Sequence, residues 1–284
     1  MTSSERELAL AYSPCPNDTY IFAAWTNGLI DSAPPVRVIL DDVEALNAAA
    51  KAGRFALTKV SYGAIPYLLK NYRILRAGGA LGRGCGPLVV AKAGGPRTLD
   101  DLGPHTRIAI PGAMTTAYLL LRLALAQPVE AVIMRFDRII DAVARGEVDA
   151  GLIIHESRFT YANAGLVQVA DLGQWWEAET NRPIPLGAIL AHRELGDGLT
   201  RDASAAIRRS LAFARNNEAA VAPYVREHAF EMDERVMRSH IELYVNEYSD
   251  DLGDDGVAAV GELFARAAAA GLVADATASD FVPA

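Results

Sequence analysis

The feature that most limits what this chain can fold into is an alternation of short strand-like runs with helical ones. Strand-like segments at 7–12, 36–40 and 55–60 are followed by helical ones at 18–27, 43–51 and 62–70. A second series runs through 107–110, 115–126, 131–135, 138–145 and 148–154. Short apolar runs separated by amphipathic stretches of helical period read as βαβ units, which align strands in a largely parallel sheet and lay helices against its faces. Past Ala191 the pattern becomes helical only, at 200–217, 219–228, 233–245 and 256–270.

A weak internal repeat ties the two series together. Residues 45–61 (ALNAAAKAGRFALTKVS) and 139–155 (IIDAVARGEVDAGLIIH) each run from an apolar-striped helix through a glycine, Gly53 or Gly146, into a short strand that ends on a polar residue. Glycine at a helix exit supplies the left-handed cap that turns the chain back into a sheet. Two similar lobes would then face each other with Ser61 and His155 at matching strand ends, although two unrelated helix–Gly–strand units would read the same way. The apolar runs at 87–91 and 186–191 are candidate crossings between lobes. They make residues 1–90 and 191–284 a discontinuous first lobe and 91–190 an inserted second one. The expected architecture is a two-lobed α/β fold with a helical C-terminal part and a cleft between the lobes, a common place for a small ligand.

Composition narrows the function classes. With 284 residues, 51% of them hydrophobic, the chain can bury a large core. A net charge of −8 with scattered Lys and Arg argues against nucleic acid, which needs clustered cations. Two cysteines, Cys15 and Cys85, are too few for a disulfide framework or a Cys-based zinc site. No His-Glu-X-X-His or comparable ligand spacing occurs, so no metal site is expected. The first residues lack an apolar core of signal-peptide length, and no stretch approaches the ~18 apolar residues of a membrane span. A cytoplasmic protein without membrane insertion is the expectation; oligomeric state stays open.

Candidate site residues cluster at strand ends, where open α/β sheets bind ligands. Asp149-Ala150-Gly151-Leu152-Ile153-Ile154-His155-Glu156 delivers a histidine at the end of an apolar run, which makes His155 the candidate acid/base. The segment 107–118 places Thr115 and Thr116 at a helix start after Pro111-Gly112, a geometry suited to a carboxylate or phosphate. It lacks the Gly-Lys-Ser/Thr of a P-loop and the GxGxxG of a dinucleotide fold. Lys59, Val60 and Ser61 close the third strand, with the lysine as a candidate counter-charge and the serine as either cap or ligand contact. Asn17, Asp18 and Thr19 follow Pro14-Cys15-Pro16 as natural N-cap residues. Cys15 has no cationic neighbour in sequence and reads as a packed side chain. The glycine-rich stretch 78–87 reads as a hinge or tight connection, Trp175-Trp176 as core or lid, and His228 and His240 as members of a polar helical tail.

Five motifs together carry a resemblance: Ser13-Pro14-Cys15-Pro16-Asn17-Asp18, Lys59-Val60-Ser61-Tyr62-Gly63-Ala64, the glycine-rich 80–87, Pro111-Gly112-Ala113-Met114-Thr115-Thr116, and Gly151-Leu152-Ile153-Ile154-His155-Glu156. In this order they resemble the 1,4-dihydroxy-6-naphthoate synthase family of the futalosine route to menaquinone, whose fold is of the type II periplasmic-binding-protein kind. The resemblance implies a lyase that takes cyclic dehypoxanthine futalosine, a small-molecule carboxylate, and releases the naphthoate from its former sugar portion. It implies His155 as general base and Lys59, Val60, Ser61, Thr115 and Thr116 as substrate contacts, with Asn17 and Asp18 in the signature, and a reaction that calls for no metal or organic cofactor. Chorismate dehydratase, which shares the architecture, and a non-catalytic solute-binding protein are the alternatives.

Overall fold

Strand β1 (Leu8–Tyr12) is followed by helix α1 (Pro16–Thr26), β2 (Val36–Leu40), α2 (Val43–Lys51) and β3 (Leu57–Ser61). The two helices carry the chain back across the sheet, so β1 pairs in parallel with both β2 and β3. The computed structural model describes residues 7–230, 233–273 and 280–283, so the residues before Glu7, on which the expectation of no export partly rests, lie outside it. Helix α1 starts earlier than the cap residues suggested: Cys15 is its N-cap and Pro16 its first residue. Proline presets the helical φ and needs no amide partner there. Asn17 and Asp18 therefore sit inside the first turn rather than capping it.

Beyond β3 the chain forms a 3-10 helix, Tyr62–Tyr67, instead of the longer α-helix expected, because Pro66 removes a donor the longer helix would need. Two short strands missed by periodicity come next, β4 (Tyr72–Ile74) and β5 (Ala80–Gly82). The second sheet contains β6 (Leu88–Lys92), β7 (Arg107–Ile110), β8 (Glu130–Ile133), β9 (Ala150–Ile153) and β10 (Leu166–Asp171), in the order β10-β6-β9-β7-β8. Between them lie α3 (Thr116–Ala124), α4 (Ile139–Arg145) and the short α5 (Ser157–Thr160). After α6 (Leu172–Thr180), β11 (Ile184–His192) returns to the first sheet, ordered β2-β1-β3-β11-β4 with β5 also paired to β11.

The crossing strands make both sheets mixed. β11 runs antiparallel to β3, and β6 runs antiparallel to β9 and β10, whereas β7 is parallel to β8 and β9. A helical C-terminal part closes the molecule: α7 (Gly196–Asn216), α8 (Glu218–His228), α9 (Glu234–Tyr244), α10 (Glu247–Asp250) and α11 (Gly253–Ala269). Helix α1 is buried nearly all round between the first sheet and α7 and α8. There the Ser210 hydroxyl accepts from the Trp25 amide at 3.1 Å and donates to the Ile21 carbonyl at 2.6 Å.

One apolar cluster spans both sheets, from Val60 and Ile65 through Val89, Ile108 and Leu120 to Trp176 and Phe264. Full burial of each large aliphatic side chain stabilises by about 1.5–3 kcal/mol, so this shared core ties the two sheets together. The two repeat glycines both take the left-handed turn, Gly53 at φ +67° and Gly146 at φ +74°. In the glycine-rich stretch, a Cβ on Gly86 would lie 2.2 Å from the Gly173 amide nitrogen, so backbone contact explains that glycine without a phosphate. Trp176 is fully buried with its indole N–H on the Pro183 carbonyl at 3.0 Å, a core role rather than a lid. Among the described residues, no helix is long and apolar enough to cross a membrane.

Candidate active site

The ends of β3 and β9, the start of α3 and the start of α1 converge on one cavity. It holds about 680 Å³ of space outside protein atoms, part of it open to solvent. All eight residues singled out from the sequence line it: Asn17, Asp18, Lys59, Val60, Ser61, Thr115, Thr116 and His155. Two residues of α9, His240 and Tyr244, complete the wall.

On the β3 side, polar groups hold one another. Lys59 Nζ lies 2.6 Å from Asp18 Oδ1, with the two side chains 6% and 3% exposed. Lys59 also donates to the Gly78 carbonyl at 3.3 Å. The second oxygen of Asp18 accepts from the Ser13 hydroxyl at 2.8 Å, and Oδ1 also accepts from Asn17 Nδ2 at 2.9 Å. Burying two charges is tolerable because each is paired and further hydrogen-bonded. The positive charge of Lys59 is thus balanced within the protein. Ser61 makes no cap bond to the helix that follows it. Its amide donates to Asn47 Oδ1 at 2.9 Å, and its hydroxyl accepts from Asn47 Nδ2 at 3.3 Å.

The start of α3 differs from its sequence reading in one respect. Thr115 caps the helix, accepting from the Tyr118 amide at 3.2 Å and donating to the Gly112 carbonyl at 2.8 Å. Thr116 donates to the Leu186 carbonyl at 2.7 Å and accepts from the Gly63 amide at 3.0 Å. Both hydroxyl protons are committed inside the protein: Thr115 closes its own turn, and Thr116 fastens the second sheet's helix to the first sheet. What the site keeps for an anion is the Thr116 and Ala117 backbone N–H groups and the positive end of the helix dipole. The preceding turn is already served by a carboxylate of α2: Glu44 Oε1 accepts from the Met114 amide at 3.1 Å, and Oε2 accepts from Asn47 at 3.1 Å. A Cβ on Gly112 would fall 2.4 Å from that carboxylate carbon, so glycine is required for the approach.

His155 stands apart from this web. Strand β9 ends at Ile153, two residues earlier than a strand-end histidine would need, and His155 itself adopts φ +56°. A left-handed conformation costs a non-glycine residue roughly 1–2 kcal/mol. The turn is held by the Arg158 amide donating to the His155 carbonyl at 3.3 Å. The ring packs edge-on to Phe136, centroids 5.0 Å apart, and neither ring nitrogen has a hydrogen-bond partner among the described residues. Burial pushes its pKa down to about 4; Asp18 opposes the shift and Lys59 reinforces it. The imidazole is therefore neutral at pH 7, with a free lone pair in the cavity. Cys15, by contrast, is inert: burial and the nearby Glu156 carboxylate push its thiol well up.

Sequence reasoning missed His240 and Glu44. His240 is only 1% exposed, and its Nε2 lies 2.9 Å from Asn17 Oδ1. The signal was present in the spacing of Met237, His240 and Tyr244, which forms one buried stripe along α9. What that stripe faces is set 223 residues away in the chain. Among the described residues, no group of three or more His, Cys, Asp or Glu side chains is placed to hold a metal ion.

A family model described as menaquinone biosynthesis matches residues 8–269. A Thermus thermophilus protein named 1,4-dihydroxy-6-naphtoate synthase is 53% identical over 94% of this chain and 96% of its own length. A Streptomyces coelicolor protein of the same name is 50% identical over 94% of each. Among solved structures, an Archaeoglobus fulgidus protein superposes with a TM-score of 0.88 at 37% identity, covering 94% of this chain and 98% of its own. The ligand-binding component of an ABC-type import system from Staphylococcus aureus, at 14% identity, superposes with a TM-score of 0.73 over 98% and 97%. That last likeness concerns fold alone, and it agrees with a periplasmic-binding-protein-like architecture.

Proposed function

The chain belongs to the menaquinone-biosynthesis family, and on that premise we propose that it is a lyase converting cyclic dehypoxanthine futalosine to 1,4-dihydroxy-6-naphthoate, with His155 as general base. The observation that carries this reading is the His155 imidazole: neutral, without a hydrogen-bond partner among the described residues, and lining the cavity on which the other candidate residues converge. His155 removes a carbon-bound proton. The electron pair left behind drives ring opening and carbon–carbon cleavage, and formation of the aromatic naphthalene makes the later steps downhill. The substrate carboxylate docks at the first-turn amides of α3 beside Ser61, while Lys59, Val60, Asn17 and Asp18 shape the opposite wall.

A base with a pKa near 4 is a weak one, and the substrate itself corrects this. A carboxylate bound in the same water-poor cavity stabilises the imidazolium at a distance, so the pKa rises in the complex toward the range where general-base catalysis is effective. Closure around the substrate excludes water and holds the base against the reacting carbon.

The test is direct. Purified protein with cyclic dehypoxanthine futalosine, and no added metal, should yield a dihydroxynaphthoate by absorbance and mass. Substrate recovered unchanged despite saturable binding would instead identify a solute-binding protein. The relatives' name supports the synthase over chorismate dehydratase, an enzyme of the same pathway; conversion of chorismate by the protein would reverse that choice.

A further inference from the structure

We propose that Nδ1 of His240 accepts a hydrogen bond from one of the sugar-derived hydroxyls of the substrate, fixing which way round the substrate lies. This role depends on the synthase reading and on a chain of hydrogen bonds that leaves the nitrogen a single function. Asp18, held by Lys59 at 2.6 Å, is a carboxylate and only accepts. The group of Asn17 that lies 2.9 Å from it must therefore be the amide NH₂, which turns the Asn17 oxygen toward His240. That oxygen can only accept, so His240 carries its proton on Nε2, at 2.9 Å. Burial, with His155 and Lys59 nearby, keeps the ring from gaining a second proton.

Nδ1 is then a bare lone pair. It is buried and has no hydrogen-bond partner among the described residues, although the ring lines the cavity. Buried acceptors are rarely left unpaired, and each such group calls for an explanation. A carboxylate or phosphate oxygen cannot pair with it; an O–H can. The ring lies 6.2 Å from that of His155, with the planes 20° apart, so a hydroxyl held there would stand beside the attacking base. Once substrate entry uncovers Nδ1, the cavity would have a donor end at α3 for the carboxylate and an acceptor end at α9 for a hydroxyl.

Two substitutions separate the two nitrogens. His240→Gln can keep a donor to Asn17 but has no acceptor where Nδ1 stood, and kcat/KM for cyclic dehypoxanthine futalosine should fall about ten- to a hundredfold. His240→Asn puts an amide oxygen near the Nδ1 position and should fall less. With substrate analogues lacking one sugar-derived hydroxyl at a time, one analogue should bring the unaltered protein down to the His240→Gln level and leave that variant unaffected. Equal kcat/KM for His240→Gln and the unaltered protein, or no analogue showing this coupling, overturns the proposal while leaving the synthase reading intact. Failure of the unaltered protein both to bind and to convert the substrate overturns both.

Should the variants fail to fold, nitrogen-15 spectra of the unaltered protein decide. The expected spectrum has Nδ1 unprotonated and its resonance displaced on substrate binding. A protonated Nδ1, or one indifferent to substrate, overturns the assignment.

Discussion

Ser61 and His155 occupy matching places in the repeat, and the protein uses them in opposite ways. Each follows a helix and a left-handed glycine; Ser61 is the last residue of its strand, and His155 lies two residues beyond the end of its own. Ser61 is gripped on both its amide and its hydroxyl by Asn47, two residues past a lysine locked into an ion pair. His155 leaves its strand early, takes a costly φ and has no hydrogen-bond partner for its ring among the described residues. The difference teaches how one local pattern yields a rigid wall on one side and a reactive group on the other. Satisfied polar groups hold their place, and an unsatisfied one is available for chemistry.

Breaking the reactive side should have the largest effect. His155→Ala removes the base and should lower turnover by about 10²–10⁴-fold while substrate binding, followed by calorimetry, persists. Full activity in that variant would show that the base lies elsewhere. On the wall side, Asp18→Asn leaves the Lys59 ammonium buried without its counter-charge. Denaturant unfolding should show a loss of about 3–5 kcal/mol, the usual consequence of removing one partner of a buried pair. A loss below about 1 kcal/mol, the range of exposed ion pairs, would mean that water reaches the pair and the wall is soft.

The pH dependence sharpens the contrast further. The His155 pKa is lowered in the folded protein, from the ordinary 6.5 to about 4, so the unfolded chain binds the proton first. Its contribution to stability is therefore complete above pH 6.5 and is lost as the pH falls toward 4. In kinetics, the acidic limb of kcat/KM should lie near pH 4, and that of kcat at higher pH, because the bound carboxylate raises the histidine pKa. Coincident limbs near 6.5 would show that the ring is solvated in the free protein.

The smallest effect is the most specific. At position 155, Gly should be more stable than Ala by about 1 kcal/mol, since glycine takes φ +56° without strain. At position 61, in the extended region, Gly should be less stable than Ala by about 0.5–1 kcal/mol. Thermal melts of the four variants test the pair of opposite signs, and equal signs would remove the backbone half of the comparison.

Much of this was legible in the chain. The alternation placed β1–β3, β7 and β9 and the helices between them, and Gly53 and Gly146 adopt the left-handed turns that their position after a helix requires. The eight candidate residues come together on one cavity. Strands as short as β4 and β5, three residues each, carry no readable period. The antiparallel run of β6 and β11 was illegible too, because strand direction depends on which end of a sheet the chain enters, not on local pattern.

Sequence by itself determined the features that neighbours along the chain control: where strands and helices form, where glycine or proline turns or starts them, and which residue types reach the strand ends. Tertiary structure alone decided what those residues do to one another. Lys59 meets Asp18 from 41 residues away, and Asn17 meets His240 from 223. Backbone conformation is governed by interactions within a turn or two, whereas charge pairing, tautomer choice and desolvation depend on which groups lie within a few ångströms in space. That is why a histidine could be seen in the chain, but its neutrality and free lone pair only in the folded molecule.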